Sequence, residues 1–312
     1  EMDLIIYHAD CPDGFCSAFV AKKRFPEAEL LSATYGQEPP FDAVYGRDVL
    51  VVDFSWPRQV VLELDLAART LKILDHHKTA EAELKDLDFA TFDMNRSGAT
   101  LTWDYCFDGE YLEMGGLWNP ELMFLNPAHK FLSDYYFMSS RRPWYVNYVE
   151  DRDLWRFQLP DSKEVNAFIM SLPHTIKAWT RLENMEWNEA AKLGHAIRLH
   201  IDHYIEKLVA QRTLGALDGY SVAVVNAPYP NISDVGHALC DHAEIGLGWF
   251  VRGDGMMQFS LRSRDGLDVA EIAKRRGGGG HRNASGFQVS LTEGRAILDS
   301  MFQPGAAGGG KE

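Results

Sequence analysis

The sequence predicts an α/β protein: a parallel-sheet domain with covering helices, then a helical linker, then a smaller α/β domain with a mixed sheet. Three observations predict it. Apolar runs in the N-terminal third alternate with helix-patterned segments, the β-then-α order that gives a parallel sheet. A stretch from about 163 to 213 is patterned as helix almost throughout. Beyond it strand-like runs return, followed by one helix and four consecutive glycines.

Taken in order, LIIYH (4–8) reads as a short buried strand ending in polar groups, and GFCSAFVAKKRF (14–25) as the helix after it. VLVVDF (49–54) and LKILDHH (71–77) repeat the pattern of an apolar run that delivers polar residues at its end. Ligands of parallel sheets bind beyond the carboxyl ends of the strands, so those polar residues are site candidates before any motif is named. Residues 107–147, rich in aromatics, Asn and Pro, read as helical packing around the first domain. In EWNEAAKLGHAIRLHIDHYIEKLVAQR (186–212), Ala190, Leu193, Ile197, Ile201, Ile205 and Leu208 share one helix face. YSVAVVNA, GLGWFVRG and MQFSLRS are strands, and LDVAEIAKRR (267–276) is a helix whose last turn Arg275 and Arg276 complete. The expected division is 1–160, a helical linker over 161–215, a second domain over 216–303 and a flexible tail over 304–312.

The 312 residues are 46% apolar and 24% charged, the balance of a globular protein long enough for two domains. No apolar run approaches the roughly 20 residues of a membrane span, and the start lacks the basic and apolar regions of a signal peptide. A cytoplasmic setting is expected. Cys11, Cys16, Cys106 and Cys240 form no CxxC pair, which argues for free thiols over disulfides or a thiolate zinc site. The net charge of −14 is wrong for a protein that grips long duplex nucleic acid, where counterion release supplies affinity. A small anion remains compatible if metal cations and local arginines invert the sign within the site.

Three predicted strand ends carry acid and imidazole groups: His8, Asp10 and Asp13; then Asp53; then Asp75, His76 and His77. A mixed set of this kind suits a first-row divalent ion such as manganese better than magnesium alone. Two ions about 3.5 to 4 Å apart need a bridging carboxylate, and Asp53, from the middle of the three strands, is the natural bridge. His195, His200 and His203 lack metal-protease spacing and are expected to be structural or solvated.

The ordered set Asp75-His76-His77, His8 with Asp13-Gly14, Asp53 and EDRDLW (150–155) resembles the DHH phosphoesterase superfamily, and SLRS (260–263) with GGGGHRNASGF (277–287) resembles its DHHA1 substrate domain. The resemblance implies two divalent ions, most readily Mn2+, with Mg2+ or Co2+ as alternatives. It implies metal ligation by His8, Asp10, Asp13, Asp53, His76 and one aspartate of EDRDLW, for which Asp151 is preferred over Asp153. His77 is expected to meet the phosphate and Asp75 to orient an imidazole. The upstream motif is stretched, its acids falling two and five residues after His8, which makes Asp10 a less secure ligand than Asp13.

Gly277 to Gly280 beside a helix carry a high entropic cost. A glycine loop lets backbone N–H groups approach an anion, so Gly278, Gly279 and Gly280 with His281, Arg262 and Arg282 are the expected phosphate grip. The implied chemistry is in-line hydrolysis with no covalent nucleophile, Cys11 and Ser97 serving packing and helix capping. The expected enzyme cleaves short oligoribonucleotides or dinucleotides to 5′-mononucleotides. The alternatives are 3′-phosphoadenosine 5′-phosphate or cyclic-dinucleotide hydrolysis, pyrophosphate or polyphosphate hydrolysis, and a non-catalytic nucleotide sensor. The expected partner is a short nucleotide or oligonucleotide, with no long duplex and no membrane; self-association into a homodimer is left open.

Overall fold

The structure, a computed structural model, describes residues 1–112, 142–264 and 266–302. Two compact units divide the chain, Glu1–Arg198 and Leu199–Glu312.

The first unit runs β1 (Leu4–His8), α1 (Pro12–Arg24), β2 (Glu29–Ala33), α2 (Phe41–Val44), β3 (Asp48–Val52), α3 (Arg58–Ala67), β4 (Thr70–Asp75), α4 (Lys78–Leu84), β5 (Ala90–Phe92), α5 (Gly98–Leu112), α6 (Trp144–Asp153), α7 (Ser162–Ser171), α8 (Ile176–Glu183) and the start of α9 (Trp187–Ala210). Its five strands lie in the order β2-β1-β3-β4-β5, all parallel. The inner strands are apolar runs because both faces are covered. Ile5, Leu50, Val52 and Leu74 pack on one face with Ala18 and Ala21 of α1 and Leu101 and Cys106 of α5. Leu4, Ile6, Val49, Val51 and Ile73 pack on the other with Val61 and Leu64 of α3 and Leu84 of α4.

The chain steps from β1 one way to β2 and the other way to β3, so the carboxyl ends of β1 and β3 flank the topological switch point, where such sheets bind ligands. Tyr7 pairs beside Val52. The residues that follow, His8 and Asp53, therefore leave the sheet side by side.

The stretch expected as a linker is helical, but α7 and α8 are core of the first unit. Val165, Phe168, Ile169, Trp179 and Leu182 pack with Phe15 and Phe19 of α1 and Tyr145 and Tyr148 of α6. Ala190 of α9 joins that core, whereas Ile205, further along the same helix, packs in the second unit. Leu193 is exposed, off the expected face. Gly194 explains it: a Cβ there would lie 1.8 Å from the Glu164 carbonyl oxygen, so the glycine takes the close approach to α7. His195, His200 and His203 are exposed, the solvated of the two roles expected. Most of the 107–147 segment and the 304–312 tail lie outside the described residues.

The second unit continues with β6 (Thr213–Leu217), β7 (Tyr220–Asn226), α10 (Ile232–Leu239), β8 (Ile245–Val251), β9 (Met257–Ser263), α11 (Val269–Lys274), β10 (Gly279–His281), β11 (Ala284–Val289) and α12 (Leu291–Met301). Its sheet is mixed, in the order β10-β11-β9-β8-β7-β6. β7 and β8 are parallel and the other pairings antiparallel. Asp218 and Gly219, at φ 53° and 88°, make the two-residue turn between β6 and β7 that the strand twist favours. No described helix is long and apolar enough to cross a membrane.

Candidate metal centre

The first unit gathers its acids and imidazoles where β1, β3 and β4 end. Asp53 follows β3 at φ 55°, a conformation rare for a side-chain-bearing residue, and its backbone N–H is anchored by the Leu74 carbonyl at 2.9 Å. Asp13 sits in the first turn of α1, nearly fully buried. Its carboxylate accepts the backbone N–H groups of Gly98 at 2.6 Å and Ala99 at 2.9 Å, a favourable position for an anion at the start of α5. Ser97 caps that helix, its Oγ accepting the Thr100 N–H at 3.2 Å.

His76 Nε2 is the point of convergence. It lies 3.0 Å from Asp53 Oδ1, 3.3 Å from Asp13 Oδ2 and 3.5 Å from Asp153 Oδ2. His77 is turned by Asp75, whose Oδ1 meets Nδ1 at 2.6 Å and accepts the His76 N–H at 2.7 Å. His8 Nδ1 stands 3.6 Å from Asp53 Oδ2. Within the first unit three groups of metal-ligand type result among the described residues, each with ligand atoms within 4.8 Å: Asp13, Asp53 and His76; His8, Cys11 and Asp53; Asp53, Asp75 and His77. Asp53 is common to all three.

The electrostatics show how much negative charge is compressed here. Burial and the adjacent Asp53 push the Asp13 carboxyl up. Burial, with Asp13 facing it, pushes Asp153 up to about 7. Burial disfavours the Asp53 carboxylate too, but the His76 and His8 imidazoles beside it hold it well below the usual range. His76 is raised well above an ordinary imidazole: burial opposes its charge, and Asp13 and Asp53 outweigh burial. Three carboxylates on one imidazole edge suit a multivalent cation. The buried atoms His8 Nδ1 and Asp153 Oδ2 make no hydrogen bond, as atoms placed to ligate an ion would. The donor set therefore fits divalent metal.

Two glycines make the approach feasible. A Cβ on Gly14 would lie 2.4 Å from the His8 carbonyl oxygen, and one on Gly98 would lie 2.6 Å from Asp53 Cβ. Gly98 was not singled out from sequence; the capping serine before it was the available signal.

Two sequence-derived ligands are placed elsewhere. Asp151 is buried but turned away, its carboxylate accepting the backbone N–H groups of Gln158 at 2.9 Å and Leu159 at 3.1 Å. Asp153 is the aspartate of EDRDLW that reaches the cluster, which corrects the preference for Asp151. Asp10 is an exposed turn residue at φ 53° and joins none of these groups among the described residues, because the turn between β1 and α1 carries it outward. Cys11, expected only to pack, has its Sγ 3.4 Å from Asp53 Oδ2.

In the second unit the four-glycine run is not one loop. Gly277, at φ 76°, ends α11: the Gly277 and Gly278 N–H groups bond to the Lys274 and Ala273 carbonyls at 3.0 and 2.9 Å, the Schellman arrangement. Gly279, Gly280 and His281 then form the edge strand β10 against β11. A Cβ on Gly278 would lie 2.1 Å from the Gly286 carbonyl oxygen, so close packing accounts for that glycine without a ligand. Arg262, on β9, donates to Ser233 Oγ at 2.7 Å and the Leu261 carbonyl at 2.8 Å. Arg282, exposed in the turn after β10, donates to the Gly266 carbonyl at 3.1 Å. Arg275 and Arg276 converge on Asp218.

The first unit thus joins a parallel sheet to an aspartate–histidine cluster at its switch point, and the second is a mixed-sheet unit. Residues 235–303 match the DHHA1 domain family. The chain is 27% identical over 321 residues to an uncharacterized protein of Acanthamoeba polyphaga mimivirus, covering 94% of this chain and 69% of that one. Among solved structures it is similar to RecJ of Thermus thermophilus in complex with Mn2+, at TM-score 0.50 and 13% identity over 95% of this chain and 51% of that one. It is also similar to PggH, a pGpG-specific phosphodiesterase of Vibrio cholerae, at TM-score 0.39 and 12% identity over 96% and 97% of the two chains. The DHHA1 match is confined to residues 235–303 of the second unit, and the likeness to RecJ is one of fold.

Proposed function

We propose that this protein is a metal-dependent phosphoesterase that uses two divalent ions to hydrolyse short oligoribonucleotides or dinucleotides to 5′-mononucleotides. The observation that carries the reading is the convergence of Asp13, Asp53 and Asp153 on His76 Nε2, within 3.5 Å. Asp53 offers Oδ1 to that group and Oδ2 to His8, the disposition a bridging carboxylate needs. Bound divalent ions supply Lewis acidity toward phosphoryl oxygens and water of lowered pKa. The chain's own work is orientation and charge. Asp75 fixes the His77 ring, which we place against the phosphate. Asp13, anchored on the start of α5, cannot swing away as charge changes during the reaction. In the second unit Arg262, His281 and Arg282 are proposed to bind the substrate; Gly279 and Gly280, as strand backbone, serve through their peptide groups. Manganese is the proposed ion, in line with the mixed imidazole and carboxylate donors and the Mn2+ named with RecJ. A cytoplasmic setting accords with four free cysteines.

The test is a manganese-supplemented panel of pApA, a five-nucleotide RNA, cyclic dinucleotides, 3′-phosphoadenosine 5′-phosphate and pyrophosphate. Release of 5′-mononucleotide from pApA and the short RNA, abolished in Asp53→Ala together with ion binding, is the expected result. Full ion content and normal turnover in Asp53→Ala would overturn the site. Preference for pyrophosphate would overturn the substrate class.

A further inference from the structure

Cys11 holds the N-cap position of α1, where Ser, Thr, Asp or Asn normally accepts a backbone N–H, yet its side chain makes no capping bond. Pro12 follows at the first helical position and Cys11 is held in the extended region, from which its side chain takes one direction. That direction is inward. Sγ reaches Asp53 Oδ2 at 3.4 Å, the same oxygen that His8 Nδ1 approaches at 3.6 Å. His8 Nδ1 is a buried atom without a hydrogen-bond partner among the described residues. The sulfur, that imidazole and the carboxylate lie within 4.8 Å of one another. The opposite oxygen, Asp53 Oδ1, faces His76 with Asp13 and Asp153. Asp53 thus separates two donor sets of different chemistry, one of nitrogen and sulfur, the other of nitrogen and carboxylate oxygen. Asp10, which would have made the first set oxygen-rich, is exposed outside it.

We propose that Cys11 is a metal ligand, so that one ion of the pair is held by His8, Cys11 and Asp53 and the other by Asp13, Asp53, Asp153 and His76. The inference rests on the metal-dependent reading above and goes beyond it in making the two positions unequal. A thiolate donor favours Zn2+, Co2+ or Fe2+; the carboxylate-rich position favours Mn2+ or Mg2+. As the sulfur–metal bond forms, the thiol proton leaves to solvent, so filling this position releases a proton that the other position does not.

The experiment titrates the reduced full-length chain with Co2+ without oxygen, following near-ultraviolet absorption and ion content. A sulfur-to-cobalt charge-transfer band is expected on filling one site. Cys11→Ser should lose the band and weaken Co2+ and Zn2+ at that site by at least the roughly ten- to hundredfold that loss of an outer-shell partner costs. Cys11→Asp should bind two ions without the band and shift preference toward Mn2+, a check that survives any misfolding of the serine variant. Cys106→Ala, whose thiol packs in the sheet core, should keep the band. A band that persists in Cys11→Ser, or its absence in the parent chain with ions bound and pApA cleaved, overturns the Cys11 assignment and leaves the phosphoesterase reading standing. A Cys11-dependent band without turnover of any phosphoester does the reverse. Failure of the chain to bind any divalent ion overturns both.

Discussion

Asp151 and Asp153 lie two residues apart in the last turn of α6, and hence about 200° apart around it. One side chain ties down the backbone of Gln158 and Leu159 while the other enters the acid cluster. Their variants should separate accordingly. Asp151→Ala leaves two backbone donors without their acceptor and should lower stability by about 1 to 3 kcal/mol, read by denaturant unfolding, with ion stoichiometry intact. Asp153→Asn should keep the unfolding midpoint of the ion-free protein and lose bound ion and turnover. The opposite pattern would restore Asp151 as the ligand. EDRDLW was legible as a motif that supplies one aspartate; which of its acids faces the site depends on the turn after the helix, where Trp155 and Phe157 take φ of 55° and 49°, and no sequence pattern signalled it. Gly98 makes a second residue-scale case. Gly98→Ala puts a methyl 2.6 Å from Asp53 Cβ, an overpacking that costs roughly 1 to 3 kcal/mol. It should weaken ion binding more than Ala99→Gly does, as calorimetric titration would show.

At the scale of elements, β1, β3 and β4 were legible because inner parallel strands are buried on both faces and read as unbroken apolar runs. β2 and β5 were not: both are sheet edges, β2 has a single buried residue and β5 has three residues in all. The glycine run was legible as a run, but its two structural parts were not. Its cost in entropy called for an explanation, and a helix end plus an edge strand supply one without any ligand. Gly278→Ala should therefore destabilise the second unit whether or not substrate is present, in contrast to a purely ligand-binding glycine. The β6–β7 hairpin gives a prediction in pH. Bonds from Arg276 and then Arg275 hold the Asp218 carboxyl down at about 2. Because this lies below the unfolded value of about 4, the stabilisation is complete above that pH and is lost as pH falls toward the folded value. Its size is roughly 1 kcal/mol after solvent screening. Asp218→Asn should be less stable than the parent by about that amount near neutrality, and the gap should close in acid. A gap independent of pH would mean that the turn, not the ion pairs, carries the effect.

For the whole molecule, the net charge of −14 and the carboxylates concentrated at the strand ends work in the same direction. Both oppose a long polyanion, while ions bound at the cluster would attract a single phosphoester locally. With manganese present, kcat/KM should fall as RNA lengthens beyond a few nucleotides, and duplex DNA should be a poor substrate. A long RNA cleaved as efficiently as a dinucleotide would contradict the proposed substrate class. The order of the DHH and DHHA1 motifs made the two-part plan readable in the sequence. The boundary was less so, because a continuous helix, α9, contributes to the cores of both units and its apolar pattern does not announce where one core ends.

The bond from Asp13 to the start of α5 also has a consequence for how the protein comes into being. The partners are 85 and 86 residues apart in the chain, with β2 through β5 threaded between them. Closing so long a loop is slow, since its entropy is lost before the contact returns anything. Capacity to hold an ion should thus arrive late. After dilution from denaturant, the far-ultraviolet circular dichroism change of helix formation, which needs only local contacts, should precede the protein's first uptake of Mn2+. A nascent chain released before α5 would carry His8, Asp13, Asp53 and His76 and yet leave Asp13 unanchored. Ion added during refolding should slow subsequent unfolding more than it speeds folding.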